Sequence, residues 1–369
     1  MKVIHILDEL RFSGAEIMYV AAAPIFQELG CELSVVNTRK KMGPYASYFE
    51  KAGYQVLHII YPQFIFRKWA YFFSMIRFLK KNHYDVVHIH RDDMKWGMSL
   101  CARIVGCRSV YTLHSIFFTH IYSHWYHRWS RWSAQKILHC TFQSISDSVY
   151  EHERNYFRTE SVKVYNWYNT CIFFPAKEGE KEIARRELKI DTDALVLISV
   201  GGCSQIKRHT EIIKALSYIV KKKNNTLYLH LGEGDVLQSE QDLAKQLNLE
   251  NHICFCGNQS NVRKYLIAAD IYVMTSQLEG ISLTTIESMA CKTPAVLYNV
   301  QGLREFNKES TCSALVPEDH IQLAENIIRL HENKALQEEL TKNACQFVHR
   351  HFDMRKNVSE IFQLYQNKN

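Results

Sequence analysis

Short apolar runs separated by longer stretches of helical periodicity recur along the whole chain, and this alternation constrains the fold more than any other feature. In the first half the runs are residues 3–7, 33–36, 56–60, 86–90, 110–114 and 137–142. The second half repeats the pattern at 195–200, 227–231, 253–255, 271–274 and 295–297. Strands that are apolar throughout must be covered on both faces, and crossovers between parallel strands are right-handed. Each half therefore predicts a mostly parallel sheet between helix layers, and the expected class is α/β with two doubly wound domains in series. A chain of 369 residues has room for both cores. The expected boundaries are 1–165 for the first domain, 166–176 for a linker and 177–351 for the second. A last helix follows, with Met354, Val358, Ile361, Phe362 and Tyr365 along one side. Ligands of open parallel sheets bind beyond the carboxyl ends of strands, so the loops there, and a cleft between the domains, are the expected site.

Hydrophobic residues make up 47% of the chain, which is the composition of a folded protein rather than a disordered one. No run of about eighteen uncharged apolar residues is present, and Met1-Lys2 leads directly into a strand-like run. A cytoplasmic protein without a spanning helix or a leader is expected. The eleven cysteines include no C-x-x-C pair, and Cys254 and Cys256 alternate within a strand-like run. Reduced thiols, no disulfide framework and no structural zinc are expected. The formal charge of +7 is uneven: residues 1–165 hold 21 basic against 13 acidic side chains, so the first half carries all the excess.

Glu279 and Glu287 stand in Leu278-Glu279-Gly280-Ile281-Ser282-Leu283-Thr284-Thr285-Ile286-Glu287. The spacing predicts a strand, a turn at Gly280 and a helix from near Ser282, so the carboxylates flank a helix N-terminus. Free N–H groups there suit a phosphate and carboxylates accept from hydroxyls, a pairing that fits a nucleotide sugar. The same residues would equally serve as a solvated loop glutamate and a charge favouring the helix start. Gly201-Gly202-Cys203-Ser204-Gln205-Ile206-Lys207-Arg208 also lies between a strand and a helix, where Lys207 either meets phosphate oxygens or is simply solvated with Arg208. At the first strand-to-helix turn, Gly14 permits close approach of a backbone amide or makes a plain turn. His88, His90 and His114 close two strands as hydrogen-bonding residues of a site or of the core. Metal binding by His88 and His90 is disfavoured on the expectation that their side chains point to opposite faces.

Taken in order, Gly14, His114, the 201–207 loop, Asp270, the Glu279-x7-Glu287 motif, Pro294 and Gly302 to Glu305 resemble the GT4 family of retaining glycosyltransferases, with the GT-B fold, over essentially the whole chain. The resemblance implies two Rossmann-like domains facing across a cleft. The final helix, 352–369, would then return to the first domain. The resemblance also implies that Glu279 contacts the donor sugar and Glu287 the ribose hydroxyls. Gly280 and the amides of Ile281, Ser282, Leu283 and Thr284 would receive the diphosphate, with Lys207 beside it. Gly14 and Gly201 would lie along donor loops, and His114 near the reacting centre. Family members commonly carry arginine where Gly202 stands, and Arg208 would have to compensate from a neighbouring helical position. No cofactor or metal is expected, since no Asp-x-Asp motif stands in a suitable place and Asp92-Asp93 is adjacent rather than spaced.

The expected partners are a nucleotide sugar, UDP-linked by preference, and a glycan or lipid-linked acceptor of surface-polysaccharide synthesis. Residues 64–81 and 124–132 interleave aromatics with Lys and Arg, which suits an anionic membrane surface or a helix with a buried aromatic face. No recognition module for nucleic acid is visible. Two other functions fit the same features, a catalytically weak partner of another transferase and a nucleotide-sugar epimerase. Dehydrogenase chemistry fits least, because the first strand is not followed by G-x-G-x-x-G.

Overall fold

The computed structural model describes residues 1–366; residues 367–369, the end of the expected final helix, lie outside the described residues. Contacts divide the chain into two units, Met1–Asn169 with Met354–Asn369, and Thr170–Asp353.

The first unit holds strands β1 (Lys2–Leu7), β2 (Glu32–Asn37), β3 (Gln55–His58), β4 (Val86–Ile89), β5 (Arg108–Leu113), β6 (Thr141–Ser144) and β7 (Val162–Lys163). They form one parallel sheet in the order β3-β2-β1-β4-β5-β6-β7. The second unit holds β8 (Leu195–Val200), β9 (Thr226–Leu231), β10 (Ile253–Gly257), β11 (Ile271–Met274), β12 (Ala295–Tyr298) and β13 (Ala314–Val316). Their parallel order is β10-β9-β8-β11-β12-β13. Strands β4, β8, β11 and β12 are buried at every residue, which is why their sequences run apolar instead of alternating.

Two strand expectations need correction. The run expected at 137–142 is mostly a turn after the helix Ile121–Lys136, with His139 at φ 54°, and pairing starts only at Thr141. The edge strands β7 and β13 are too short, at two and three residues, to give a readable pattern. Among the described residues no helix is long and apolar enough to cross a membrane.

The helix Met354–Gln366 packs on the first unit through the buried Ile361, Leu364 and Tyr365. Asn357 donates to the Asn166 carbonyl at 2.9 Å. The Tyr365 hydroxyl lies 2.6 Å from Nδ1 of His88, whose Nε2 lies 2.7 Å from the Thr112 hydroxyl. Thr112 donates onward to Gln143, so it accepts from His88 Nε2–H, and His88 Nδ1 accepts from tyrosine. Replacing Tyr365 by Phe leaves that buried nitrogen without a donor. Denaturant unfolding of Tyr365→Phe should show a loss of about 1–3 kcal/mol.

Candidate functional site

The pairing of Ile271 with Leu197 and Tyr272 with Ile198 sets β11 directly beside β8, while β9 lies on the other flank of β8. Strand order therefore reverses between β8 and β11, the switch point at which doubly wound sheets hold ligands. Two loops distant in sequence meet there. The Gln277 amide donates to the Ile206 carbonyl at 2.8 Å, and the Thr275 hydroxyl reaches the carbonyls of Lys207 and Arg208 at 3.1 and 2.9 Å. From the next helix, the Thr284 hydroxyl donates to the Val200 carbonyl at 3.0 Å.

This bracing brings Lys207 Nζ to 2.6 Å from the Glu279 carboxylate, with both side chains largely covered. The helix Leu283–Ala290 begins beside them. Ser282 caps it by accepting from the Thr285 amide at 3.3 Å, and the earlier amides of Leu283 and Thr284 have no intrahelical acceptor. Glu279 itself is fixed through its backbone: its amide donates to Gln301, and Gly302 (φ 84°) approaches so closely that a Cβ would lie 2.2 Å from the Glu279 carbonyl oxygen. One turn into the helix, Glu287 is only partly exposed, and burial pushes its carboxyl up to about 8.

Behind the first loop, Gly232 (φ 141°) backs onto Gly201, where a Cβ would meet the Gly201 carbonyl oxygen at 1.9 Å. The Cys203 amide donates to the Glu233 carbonyl at 3.0 Å, so the glycine turn after β9 supports the loop after β8. At Gly202 a Cβ would find only the Glu233 carbonyl, at an ordinary 3.5 Å. Packing therefore leaves room there for the start of a larger side chain.

Arg208 departs from expectation. It is not helical but left-handed (φ 52°), preceding the helix His209–Lys222, and its guanidinium is committed to Glu318 and to the face of Tyr298, 5.6 Å from the ring centre. Its guanidinium pairs with Glu318 and not with the Glu279 that holds Lys207.

The histidine candidates and Gly14 belong to the first unit. His114 follows β5 and lies 2.9 Å from His90, which lies 3.1 Å from His5. Burial lowers His114 to about 4, so its imidazole is neutral at neutral pH. The expectation that His88 and His90 point to opposite faces is wrong. Side chains two positions apart along a strand share a face, and at the end of β4 the two rings stack 4.3 Å apart. Gly14 opens the helix Gly14–Glu28, but a buried carboxylate, Glu16, sits at that N-terminus and accepts from the Ser13 hydroxyl. The signal for it is S-x-x-E across Ser13 to Glu16, a helix-start signature that attention to Gly14 alone overlooks. Asp270 is a structural anchor: it pairs with Lys181 and Arg185 at 2.7 Å each and accepts from the Val196 amide.

Comparison with known proteins places both units. Residues 12–170 match the family described as Glycosyltransferase Family 4, and residues 180–347 match Glycosyl transferases group 1. An uncharacterized glycosyltransferase of Methanocaldococcus jannaschii is 26% identical over 91% of this chain and 90% of its own length. The N-acetyl-alpha-D-glucosaminyl L-malate synthase of Bacillus anthracis is 26% identical over 55% of this chain, which spans about half of that enzyme (52%). An Escherichia coli UDP-Gal:alpha-D-GlcNAc-diphosphoundecaprenol alpha-1,3-galactosyltransferase is 22% identical over 79% of this chain and 78% of its own. Among solved structures, Anabaena HepE in complex with UDP and glucose superposes with a TM-score of 0.86 at 16% identity, covering both chains fully (100%). WaaG, a glycosyltransferase involved in lipopolysaccharide biosynthesis, gives 0.76 at 16% identity over 97% of this chain and 99% of its own. The fold is GT-B.

The displaced carboxyl of Glu287 has a consequence for stability. Its folded value, about 8, lies above the ordinary 4.5, so between these the unfolded chain is ionised while the folded chain holds the proton. Stability contributed by this group is full at low pH and falls as pH rises through that window. Glu287→Gln removes the slope. At pH 8 the variant should be more stable than the parent by on the order of 2 kcal/mol, allowing for partial exposure, and the two should converge near pH 5; thermal melts across pH check this.

Proposed function

This chain belongs to the glycosyltransferases, family 4 in its N-terminal half and group 1 in its C-terminal half, and on that premise we propose that it is a retaining, metal-independent enzyme. It moves a sugar from a nucleotide donor, UDP-linked by preference, to a glycan or lipid-linked glycan of surface-polysaccharide synthesis. The observation that carries this reading is the Lys207–Glu279 contact beside the open end of the helix Leu283–Ala290, at the switch point of the donor-type sheet. The UDP complexes of HepE and the UDP-galactose-using relative favour a uridine donor, and the diphosphoundecaprenol acceptor of that relative favours a lipid-linked one.

The reaction breaks the bond between the sugar and its diphosphate, and negative charge grows on the departing phosphate. In the free protein Lys207 is neutralised by Glu279. A bound diphosphate offers the ammonium a more highly charged partner, and Glu279 turns to accept from sugar hydroxyls. Lys207 and the first-turn amides then stabilise the leaving group without a metal ion. Glu287, one turn on, accepts from the ribose. His114, neutral and hydrogen-bonded to His90, acts as a polar contact for the sugar and not as a cation.

The acceptor side rests on two helices of the first unit. Ile65–Asn82 buries Tyr71, Met75 and Leu79 and turns Phe66, Trp69 and Phe73 outward with Arg67 and Arg77. Ile121–Lys136 buries Ser130, Arg131 and Ala134 and exposes Tyr122, Trp125, Tyr126, Trp129 and Trp132 with Arg128. Tyr122 is 91% and Phe66 87% exposed, so these rings are not core residues. Aromatics with cations on one helix face fit the headgroup layer of an anionic bilayer, and we place the enzyme at the inner face of the cytoplasmic membrane.

Lys207→Ala should lower kcat/KM roughly 10- to 1000-fold and weaken UDP binding by calorimetry, with GDP binding more weakly to the parent. Parental kinetics in Lys207→Ala would sink the donor-site assignment. In flotation, the chain should rise with phosphatidylglycerol vesicles at low salt, and Phe66→Ser with Trp125→Ser should remain at the bottom; equal behaviour of the two proteins would remove the membrane assignment.

A further inference from the structure

Behind the loop that carries Lys207 lies a second cluster of side chains that the transfer reaction does not use. Cys203 comes from that loop, His209 from the first residue of the helix His209–Lys222, His230 from β9 and Glu240 from the helix Leu237–Gln246. None is more than 2% exposed. His230 Nε2 lies 3.1 Å from His209 Nδ1, 3.0 Å from a Glu240 oxygen and 3.9 Å from Cys203 Sγ. His209 Nδ1 is 3.3 Å from the other Glu240 oxygen, and one ligand atom from each of the four residues falls within 4.8 Å of the rest.

We propose that Cys203, His209, His230 and Glu240 form a closed, structural zinc site. Bonds of about 2.0–2.3 Å in a tetrahedron place ligand atoms about 3.3–3.8 Å apart, close to the spacing found here. A thiolate, a carboxylate and two neutral imidazoles balance a doubly charged ion, so the filled site would bring no net charge into the core. The mixed S, N and O set suits zinc better than a hard cation such as magnesium. Four protein ligands leave no open position, and the ion takes no part in sugar transfer.

Hydrogen bonds alone do not satisfy the two rings. Each turns one nitrogen into the cluster, while His209 Nε2 and His230 Nδ1 are buried without a partner. With its proton on that outer nitrogen, each ring presents a lone pair inward, as a metal requires. The trio His5, His88 and His90 of the first unit lacks this character: it contains no anion, and both nitrogens of His88 are already hydrogen-bonded. The zinc would tie the loop after β8 to the sheet and to two helices, four residues before Lys207. That would fix the loop on which the ammonium stands.

Metal content reads the proposal without any sugar-transfer assay, so its outcome is separate from that of the donor-site assignment. The full chain, expressed with zinc in the medium and dialysed, should hold about one equivalent by mass spectrometry. Cobalt added to metal-stripped protein should give the intense thiolate charge-transfer band of a tetrahedral site. Cys203→Ser and His230→Gln should each lower zinc at least about tenfold, whereas Cys254→Ser with Cys256→Ser should keep it. Zinc below about a tenth of an equivalent in the parent, with no cobalt–thiolate band, overturns the site. So does full retention in both Cys203→Ser and His230→Gln.

Discussion

The parallel pairing of β11 with β8 is the constraint on which the donor-type unit depends. β8 is the first strand of its sheet, and it takes β9 on one side and β11 on the other. Crossover helices must leave in opposite directions from such a strand, so the loops beyond its carboxyl end and that of β11 have no helix between them. Residues 201–207 and 275–282, some seventy positions apart, become neighbours for that reason. Everything chemical in this unit follows from their contact. The backbone bonds between Gln277 and Ile206, and from Thr275 to Lys207 and Arg208, hold the loops, and the side chains of Lys207 and Glu279 meet as a result.

A cation held by a carboxylate in a largely covered site that still reaches water is suited to exchange rather than to stability. Both side chains are largely covered, so lost hydration offsets much of their attraction and the pair contributes little net energy to folding. A diphosphate at the helix end competes for the ammonium with more charge and with added amide donors. Glu287 differs from this pair. Enclosed without a cation, it favours its protonated form until hydroxyl donors arrive to stabilise the ionised one. Two carboxylates of one motif are thus prepared in opposite ways, Glu279 charged and paired, Glu287 enclosed and biased towards neutrality.

The sheet architecture was legible because it rests on local patterns: central strands run apolar, and helices between them repeat every three to four residues. The edge strands β7 and β13 were not, since two or three residues carry no period. The helix start at Ser282 could be read from its own residues, and the structure caps it with that side chain. Side-chain partnership was less legible. Arg208 looked like a second phosphate-facing cation, yet its left-handed backbone and the distant Glu318 decide its direction. The cluster of Cys203, His209, His230 and Glu240 has no spacing signature at all, because each residue arrives on a different element. Cysteine arithmetic reads metal sites built on one knuckle, and it is silent about sites assembled by a sheet.

The first unit shows how one helix can satisfy a core and leave an apolar face outside. In Ile121–Lys136 the inward side is not a hydrophobic stripe but a charge: Arg131, fully buried, donates to Glu153 at 2.9 and 3.2 Å and lies 3.8 Å from the centre of the Phe157 ring. The Trp96 indole, on the helix Lys95–Val105, donates to Ser133 at 3.1 Å. These polar contacts fix the helix rotationally, since turning it would strand a buried guanidinium without its carboxylate. With orientation set in this way, the five aromatic rings on the other face keep about half or more of their surface in water, from 49% at Trp129 to 91% at Tyr122. That exposed apolar surface carries a solvation cost, which a bilayer headgroup layer with anionic lipid would relieve while pairing with Arg128. The buried ion pair and the exposed tryptophans are therefore two sides of one arrangement: the first holds the second outward.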